Sequence, residues 1–163
     1  NDLVSKNDAV LRTVKPFTGY LLDNIKRMKY LAETLKKKPK QYVLCHGDLH
    51  YWNMIQSKHI KLIDWECAIL APPEQDLILH VTGQYAEPFL SFYKQYVSSN
   101  KLDLDALEFY FLKRNLEDIW EWIQNLRFKE AIKSQEETLK FLRRNLIECT
   151  KVTSFRAYLE ANM

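Results

Sequence analysis

Apolar residues in the first part of the chain recur at the spacing of a helix. The repeat runs at three- and four-residue steps and puts on one helical face Leu21, Ile25, Met28, Leu31 or Ala32, and Leu35. The lysine-rich run of residues 36–40, which contains a proline, predicts the end of that helix, because cations suit the negative end of the helix dipole. We interpret the chain before this helix as an irregular start. The run itself is either a solvated helix end or an anion-binding patch.

The next part of the chain has the pattern of short strands. Residues 41–45, 54–56 and 60–63 are predicted strands, and the polar residues 57–59 join the last two as a hairpin turn. A polar stretch, residues 46–50, lies between the first two strands. The pattern therefore predicts a small β insert with a polar loop at its start.

From Pro72 onward the pattern is helical. The sequence Pro-Pro-Glu at 72–74 suits a helix start, because proline and an acid are both favoured in the first turn. Further helices are predicted over residues 87–98, 102–127 and 134–151. No internal repeat or low-complexity linker interrupts the chain. We predict an α+β fold that is mainly helical and holds one short β-hairpin.

Composition narrows the possible functions. The 163 residues carry a net charge of +3 and are 47% hydrophobic, which excludes disorder and gives no sign of a nucleic-acid or membrane partner. The three glycines are too far apart for a Walker or Rossmann phosphate loop. Cys45, Cys67 and Cys149 lack metal-site spacing and are expected to be free, buried thiols in a reducing compartment. No signal sequence or long apolar run is present, so we expect a cytoplasmic protein.

Three oxygen-bearing side chains are spaced so that a hairpin can bring them together. Asp48 follows the first strand, Asn53 begins the second and Asp64 ends the third, so the chain reversal returns Asp64 beside Asn53. Two carboxylates and an amide are hard donors that suit Mg²⁺. Phosphoryl transfer from ATP uses such a metal, together with a carboxylate that orients the attacking hydroxyl. The spacing therefore predicts a Mg²⁺ site of the kind that phosphoryl transfer from ATP uses.

A zinc site is the alternative reading of the same segment. His46 and His50, with Cys45 or Cys67, offer zinc-binding side chains. Histidines four residues apart share one metal on a helix face, however, and the glycine between them follows a predicted strand. We therefore favour the magnesium site.

The motifs in this segment resemble a known family. The stretch HGDLHYWN followed by IDWE, residues 46–66, resembles the aminoglycoside phosphotransferase and choline kinase superfamily, which shares the protein-kinase fold. The stretch IDWECAILAPPEQDL, residues 63–77, and FYFLKRNLEDI, residues 109–119, are similar to the spectinomycin-phosphotransferase-like branch. The resemblance implies a phosphotransferase that moves the γ-phosphate of ATP to a hydroxyl of a small molecule.

The same resemblance implies the extent of the domain. Residues 1–163 would form a kinase-like C-terminal lobe, with a catalytic segment at 41–80 and a helical body at 1–40 and 81–163. No glycine-rich phosphate cover and no strand lysine of the kinase N-terminal lobe occur in the chain. We therefore expect that lobe to be absent and favour its being encoded by the same gene, the alternatives being a lobe from a partner chain and a natural remnant that binds without catalysis. The isolated chain is then expected to be inactive.

Roles for individual residues also follow from the resemblance. Asp48 would be the catalytic base, while Asn53 and Asp64 would bind Mg²⁺ and, with it, the nucleotide. His50 stands where the protein-kinase loop has a lysine and would contact phosphate or substrate. His46 and Asp76 would support the loop, Asp76 by accepting backbone hydrogen bonds.

Acidic side chains suggest a cationic acceptor such as an aminocyclitol. The candidates for attracting it are Glu66, Glu117, Asp118 and Glu121, although a solvated helix face explains the last three equally well. Tyr51 and Trp52 could add an aromatic wall for the amine. Two rival functions remain: a non-catalytic binding module of the same fold, and a metal-dependent hydrolase that uses Asp48 and Asp64. The hydrolase would need a second metal or a strong nucleophile, which the sequence does not reveal.

Overall fold

A computed structural model describes residues 2–39, 41–81, 85–96, 102–128 and 134–162. Within these ranges, two α-helices precede a β segment and five α-helices follow it. The elements in chain order are α1 (Asp2–Val14), α2 (Thr18–Lys36), β1 (Val43–Cys45), β2 (Met54–Gln56), β3 (Ile60–Leu62), β4 (Ile69–Ala71), α3 (Glu74–Leu77), α4 (Ala86–Tyr96), α5 (Leu104–Phe128), α6 (Gln135–Glu148) and α7 (Val152–Asn162).

The helix α5 is the centre of the helical body. Its buried residues Leu107, Leu112, Ile119 and Leu126 belong to three apolar clusters along its length, and α1, α2, α6 and α7 all pack against it. Each fully buried leucine contributes roughly 1.5–3 kcal/mol. The predicted helix at 102–127 is therefore the element on which the others assemble.

The start of the chain is helical rather than irregular. Helix α1 is followed by a 3-10 turn, Lys15–Phe17, before α2 begins. Val10 is buried, and Val14 and Leu21 pack against the same cluster as Ile119 of α5. The prediction was wrong here: the segment forms a helix that contacts α5 and α6, which are distant in sequence.

The β segment contains two separate antiparallel pairs. The hairpin of β2 and β3 forms as predicted, with Met54 opposite Leu62. The first strand is shorter than predicted, and it pairs with β4, a strand that the pattern did not reveal. Because β1 pairs with β4, the hairpin and the turns on either side of it form the connection between two paired strands.

The C-terminal helices differ in length from the predictions. Helix α6 begins with a capping box, in which Ser134 and Glu137 bond each other's backbone N–H groups. It ends at Glu148, and after a 3-10 turn the additional helix α7 continues to Asn162. Helix α4 is described to Tyr96, and residues 97 and 98 of its predicted span lie outside the described residues.

The three cysteines are free, but they are not all buried. Cys45 and Cys149 are buried, whereas Cys67 is exposed. The expectation of buried thiols was therefore wrong for Cys67, which lies in the 3-10 turn after β3 (Trp65–Cys67) rather than in the core.

Candidate functional site

The loop after β1 has a backbone shape that favours glycine. Gly47 has a φ of 84°. A Cβ on Gly47 would lie 2.1 Å from the backbone oxygen of Cys67. The loop that carries Asp48 therefore packs directly against the turn that follows Asp64.

Asp76 supports this loop from the start of α3. Its carboxylate accepts hydrogen bonds from the backbone N–H groups of His46 at 2.6 Å and Gly47 at 2.9 Å. His80 donates from Nε2 to the backbone oxygen of Leu49 at 3.2 Å, a contact that the sequence did not suggest. Three backbone groups of the loop are thus bound by side chains from the segment after β4.

His46 connects the loop to the end of the hairpin. The residue is buried, and its Nε2 donates to the backbone oxygen of Ile63 at 2.8 Å. Its ring also lies 4.8 Å from the ring of Trp65. These contacts occupy His46 in joining two backbone segments, which is the geometry expected of a supporting residue.

Asn53 lies between the loop and the hairpin. Its side-chain nitrogen donates to the backbone oxygen of Asp48 at 2.9 Å, and its own backbone oxygen accepts from the N–H of Ile63 at 3.0 Å. The structure therefore brings Asn53 against Asp48 on one side and against the residue before Asp64 on the other. The amide oxygen of Asn53 remains as the atom that could contact a cation.

Asp64 has an unusual backbone conformation. With φ 66° and ψ 58° it is the one non-glycine residue at positive φ among the described residues. This conformation costs roughly 1–3 kcal/mol and is concentrated at functional sites. The Asp64 side chain is exposed, so its carboxylate is accessible to a ligand.

The carboxylate of Asp48 has two side-chain neighbours. Arg114 of α5 donates from Nη1 to Oδ1 at 2.5 Å, and Nε2 of His50 lies 3.3 Å from Oδ2. Burial opposes ionisation of Asp48, but the hydrogen bond and charge of Arg114 outweigh it and lower the pKa of the carboxyl group. The residue is therefore held as a carboxylate.

Arg114 is the site residue that sequence reasoning missed. It lies within the stretch FYFLKRNLEDI that carried part of the family resemblance, but 66 positions separate it from Asp48. Its Nε also donates to Oδ1 of Asp118 at 3.0 Å. Asp118, in turn, accepts from the side-chain nitrogen of Asn145 on α6 at 3.0 Å.

The four acidic residues proposed to attract a substrate have different surroundings. Glu117 pairs with Lys113 at 3.0 Å and lines a cavity of about 50 Å³ together with Asp48 and Arg114. Burial raises the pKa of Asp118, and the charge of Arg114 only partly offsets it. Glu66 and Glu121 are exposed. Of this group, Glu117 therefore lies in the cavity that Asp48 also lines.

The aromatic pair beside the loop is open to solvent. The rings of Tyr51 and Trp52 lie 5.1 Å apart, and the two residues are 71% and 75% exposed. They form part of a 3-10 turn, Tyr51–Asn53, which leads into β2.

The histidines of the loop do not share a common partner, and the side chains of Asn53 and Asp64 carry oxygen donors. Within the described ranges, no group of three histidine, cysteine, aspartate or glutamate side chains is close enough to hold a metal ion. His46 and His50 have separate partners, Ile63 and Asp48. The hard oxygen donors of Asn53 and Asp64 match Mg²⁺, which needs few protein ligands because water and phosphate complete its shell.

Solved structures identify the class of fold. Two crystal structures of spectinomycin phosphotransferase, APH(9)-Ia, are similar to the chain: a complex with ADP and spectinomycin (TM-score 0.71, 24% identity) and an AMP-bound complex (TM-score 0.67, 23% identity). The first covers 92% of this chain and 49% of that enzyme, and the second 91% and 48%. The chain thus has the α+β, kinase-like fold predicted from the sequence, over about half the length of these enzymes.

The family follows from the sequence itself. A family profile described as "Phosphotransferase enzyme family" matches residues 11–110, and the chain belongs to that family. Comparison with curated proteins gives no significant match. Among the described residues, no helix is both long and apolar enough to cross a membrane.

Proposed function

We propose that the chain is the C-terminal lobe of an enzyme that transfers the γ-phosphate of ATP to a hydroxyl of a small molecule. The observation that supports this most strongly is the linkage of Asp48 to Asn53 and of Asn53 to Ile63, the residue before Asp64. Membership of the phosphotransferase family and the nucleotides bound to the solved relatives agree with it.

In this proposal Asp48 accepts a hydrogen bond from the acceptor hydroxyl and takes its proton. Asn53 and Asp64 would hold Mg²⁺, and His50, beside Asp48, would contact phosphate or substrate. Bound ATP and Mg²⁺ supply the phosphoryl group and neutralise the charge on it. The protein contributes by orientation and electrostatics, because its loop is fixed by Asp76 before substrate arrives.

The acceptor is proposed to be an aminocyclitol-like cation. Glu117 lines the cavity beside Asp48, and the exposed carboxylate of Glu66 lies two residues beyond Asp64. The cavity holds only a few water molecules at about 50 Å³, so the acceptor would lie over its mouth. Tyr51 and Trp52 are exposed near the loop and could contact an amine.

We further propose that an N-terminal lobe from the same gene completes the enzyme, and we call the two lobes together the complete protein. The chain spans about half the length of its solved relatives. The paired strands β1 and β4 expose Leu44 and Leu70, which lie directly opposite each other, at 66% and 68%. A second lobe would cover these side chains.

The role of Asp48 is tested by replacing it with asparagine in the complete protein. We expect kcat to fall by about 10²–10⁴-fold, because proton transfer and orientation of the nucleophile are lost, while the protein stays folded and loses only the stability that the ion pair with Arg114 provides. Phosphate transfer to a panel of aminocyclitols and amino alcohols is the measurement. Near-normal turnover in Asp48→Asn would remove Asp48 from its role, and a wild-type protein that binds these amines without transferring phosphate would support the binding-module alternative.

The role of Asp64 is tested by binding rather than turnover. We expect Asp64→Ala to weaken the affinity of the complete protein for Mg²⁺-ATP, because a carboxylate ligand is removed. Calorimetry with and without Mg²⁺ measures this effect, and Glu121→Ala, another exposed acid, is the control. An affinity equal to that of the wild type would exclude Asp64 as a metal ligand.

A further inference from the structure

We infer that Arg114 is a positioning residue that holds the carboxylate of Asp48 in its working orientation; this inference rests on the proposed function. Arg114 uses two different nitrogens for two different carboxylates. Nη1 donates to Oδ1 of Asp48 at 2.5 Å, and Nε donates to Oδ1 of Asp118 at 3.0 Å. Because the guanidinium group is planar and rigid, fixing one edge on Asp118 fixes the direction of the other edge toward Asp48.

The Asp118 side of this contact is itself anchored. Asn145 of α6 donates to Oδ2 of Asp118 at 3.0 Å, so both oxygens of that carboxylate are engaged. Arg114 is one turn from Asp118 on the same helix, and α6 packs closely against that helix. A chain of contacts therefore runs from the rigid α5–α6 pair to a loop residue that has no regular secondary structure around it.

The arrangement leaves one oxygen of Asp48 for the substrate. Oδ1 is occupied by Arg114, whereas the contact recorded for Oδ2 within the described part of the chain is Nε2 of His50 at 3.3 Å. An acceptor hydroxyl would therefore bond to Oδ2. Without Arg114 the carboxylate could rotate about its side-chain bonds, and a displacement of about 1 Å at the reacting atoms costs on the order of 10²-fold in rate.

A purely structural ion pair is the competing explanation. It would make Arg114 important for joining the loop to α5, and its loss would lower stability without a specific effect on turnover. Lys113, the neighbouring cation, pairs with Glu117. The positioning role and the structural role are therefore distinguished by whether kcat falls in a variant that remains folded.

The test compares Arg114→Ala, Arg114→Lys and the control Arg144→Ala in the complete protein. Arg144 is exposed on α6. We expect Arg114→Ala to lower kcat by about 10–100-fold with the KM for ATP within about twofold of wild type, which indicates an interaction that acts in the transition state. We expect Arg114→Lys to recover little activity, because a single ammonium group cannot reproduce the fork.

Added guanidinium ion at low millimolar concentration provides a readout that a structural role would not give. It should partly restore kcat in Arg114→Ala and leave Arg144→Ala unchanged. A kcat for Arg114→Ala within about twofold of wild type, or a loss that matches the fraction of unfolded protein, would overturn the inference.

A second measurement is independent of turnover. Unfolding of Arg114→Ala, Asp48→Asn and the double variant should be non-additive, with the shift in urea midpoint of the double variant smaller than the sum of the single shifts. Additive shifts would show that the two side chains do not interact and would overturn the inference. A wild-type protein inactive with every acceptor would refute the proposed function, and the positioning role with it, whereas an active wild type with an unaffected Arg114→Ala refutes the positioning role alone.

Discussion

At the scale of single residues, the site depends on two positions with left-handed backbones. Gly47 and Asp64 have φ values of 84° and 66°. Gly47 lies against the backbone of Cys67, in the turn that follows Asp64. Glycine adopts this region freely, whereas aspartate does so at a cost. The unfavourable conformation at Asp64 is retained where the exposed carboxylate is proposed to bind Mg²⁺, which is typical of functional positions.

Replacement of Gly47 by alanine tests this account of the loop. The new Cβ would lie 2.1 Å from the backbone oxygen of Cys67, so one of the two segments must move. We expect Gly47→Ala to lower the free energy of unfolding by at least about 1–2 kcal/mol, because left-handed backbone alone costs that much for alanine. Urea denaturation is the measurement.

Gly19 supplies the matched control. A Cβ there meets nothing within 4 Å, and the residue lies in the first turn of α2. We expect Gly19→Ala to leave stability unchanged or raise it by up to about 1 kcal/mol, since alanine is the better helix former. Equal losses in both variants would contradict the proposed close approach.

The motif predicted the local part of the site but not its long-range partner. Asp48, Asn53 and Asp64 lie in the short segment where strand and loop spacing could be read directly, and the role of Asp76 was implied by the family resemblance. Arg114 reaches Asp48 from a helix 66 residues later, and its pattern on α5 is that of any polar helical position. A contact of this kind depends on how α5 packs, which spacing along the sequence does not encode.

At the scale of elements, hydrophobic periodicity found the hairpin and the long helices but missed three elements. The helices α1 and α7 and the strand β4 are each stabilised mainly by distant partners. Strand β4 has three residues, two of them exposed, so its identity depends on pairing with β1. Short strands and end helices are therefore set by tertiary contact rather than by local pattern.

A cluster of charged side chains joins three of the helices. Glu108 of α5 is buried and accepts two hydrogen bonds from Arg27 of α2, at 2.6 and 2.7 Å, and one from Arg156 of α7 at 3.0 Å. Arg156 also bonds Asp105 at 2.8 Å. These contacts join α2 and α7 to the same turn of α5.

We predict that Glu108→Ala lowers the free energy of unfolding by about 2–4 kcal/mol, because it leaves two arginines facing a site without their shared carboxylate. The partial exposure of those arginines keeps the loss below that of a fully buried pair. Glu160→Ala is the control: Glu160 is exposed and bonds Arg156 at 2.7 Å, so its loss should cost less than about 1 kcal/mol. The measurement is chemical denaturation of both variants. A smaller loss of unfolding free energy for Glu108→Ala than for Glu160→Ala would contradict a stabilising role for the Glu108 cluster.

At the scale of the whole molecule, apolar surface is concentrated on the β segment. The exposed large apolar residues of this segment are Tyr42, Leu44, Tyr51, Trp52, Ile55, Ile60, Leu62, Ile63, Trp65, Ile69 and Leu70. Two-stranded sheets are marginal without a covering layer, and an apolar surface of this extent is typical of an interface. The proposed N-terminal lobe would provide that cover.

The double variant Leu44→Ala, Leu70→Ala tests whether an N-terminal lobe covers this apolar surface. In the 163-residue chain alone we expect little change in stability, within about 0.5 kcal/mol, because both side chains are already exposed. In the complete protein the same variant should lose roughly 3–6 kcal/mol if both leucines become fully buried. Thermal and urea unfolding of both forms are the measurements.

Leu11→Ala controls for the loss of an exposed leucine elsewhere. Leu11 is 69% exposed on α1, remote in sequence from the strands. Its replacement should have the same small effect in both forms. If the double variant Leu44→Ala, Leu70→Ala also changes stability equally in both forms, no lobe covers this surface.

The exposed thiol of Cys67 has a practical consequence for spectroscopy. Burial raises the pKa of Cys45 to about 11 and also raises that of Cys149, so both remain protonated and shielded from alkylating dyes. A fluorophore would therefore attach selectively at Cys67, whose own carbonyl contacts the glycine preceding Asp48. The unmodified sequence therefore already offers a labelling position for ligand titrations, where the turn after Asp64 meets the loop that carries Asp48.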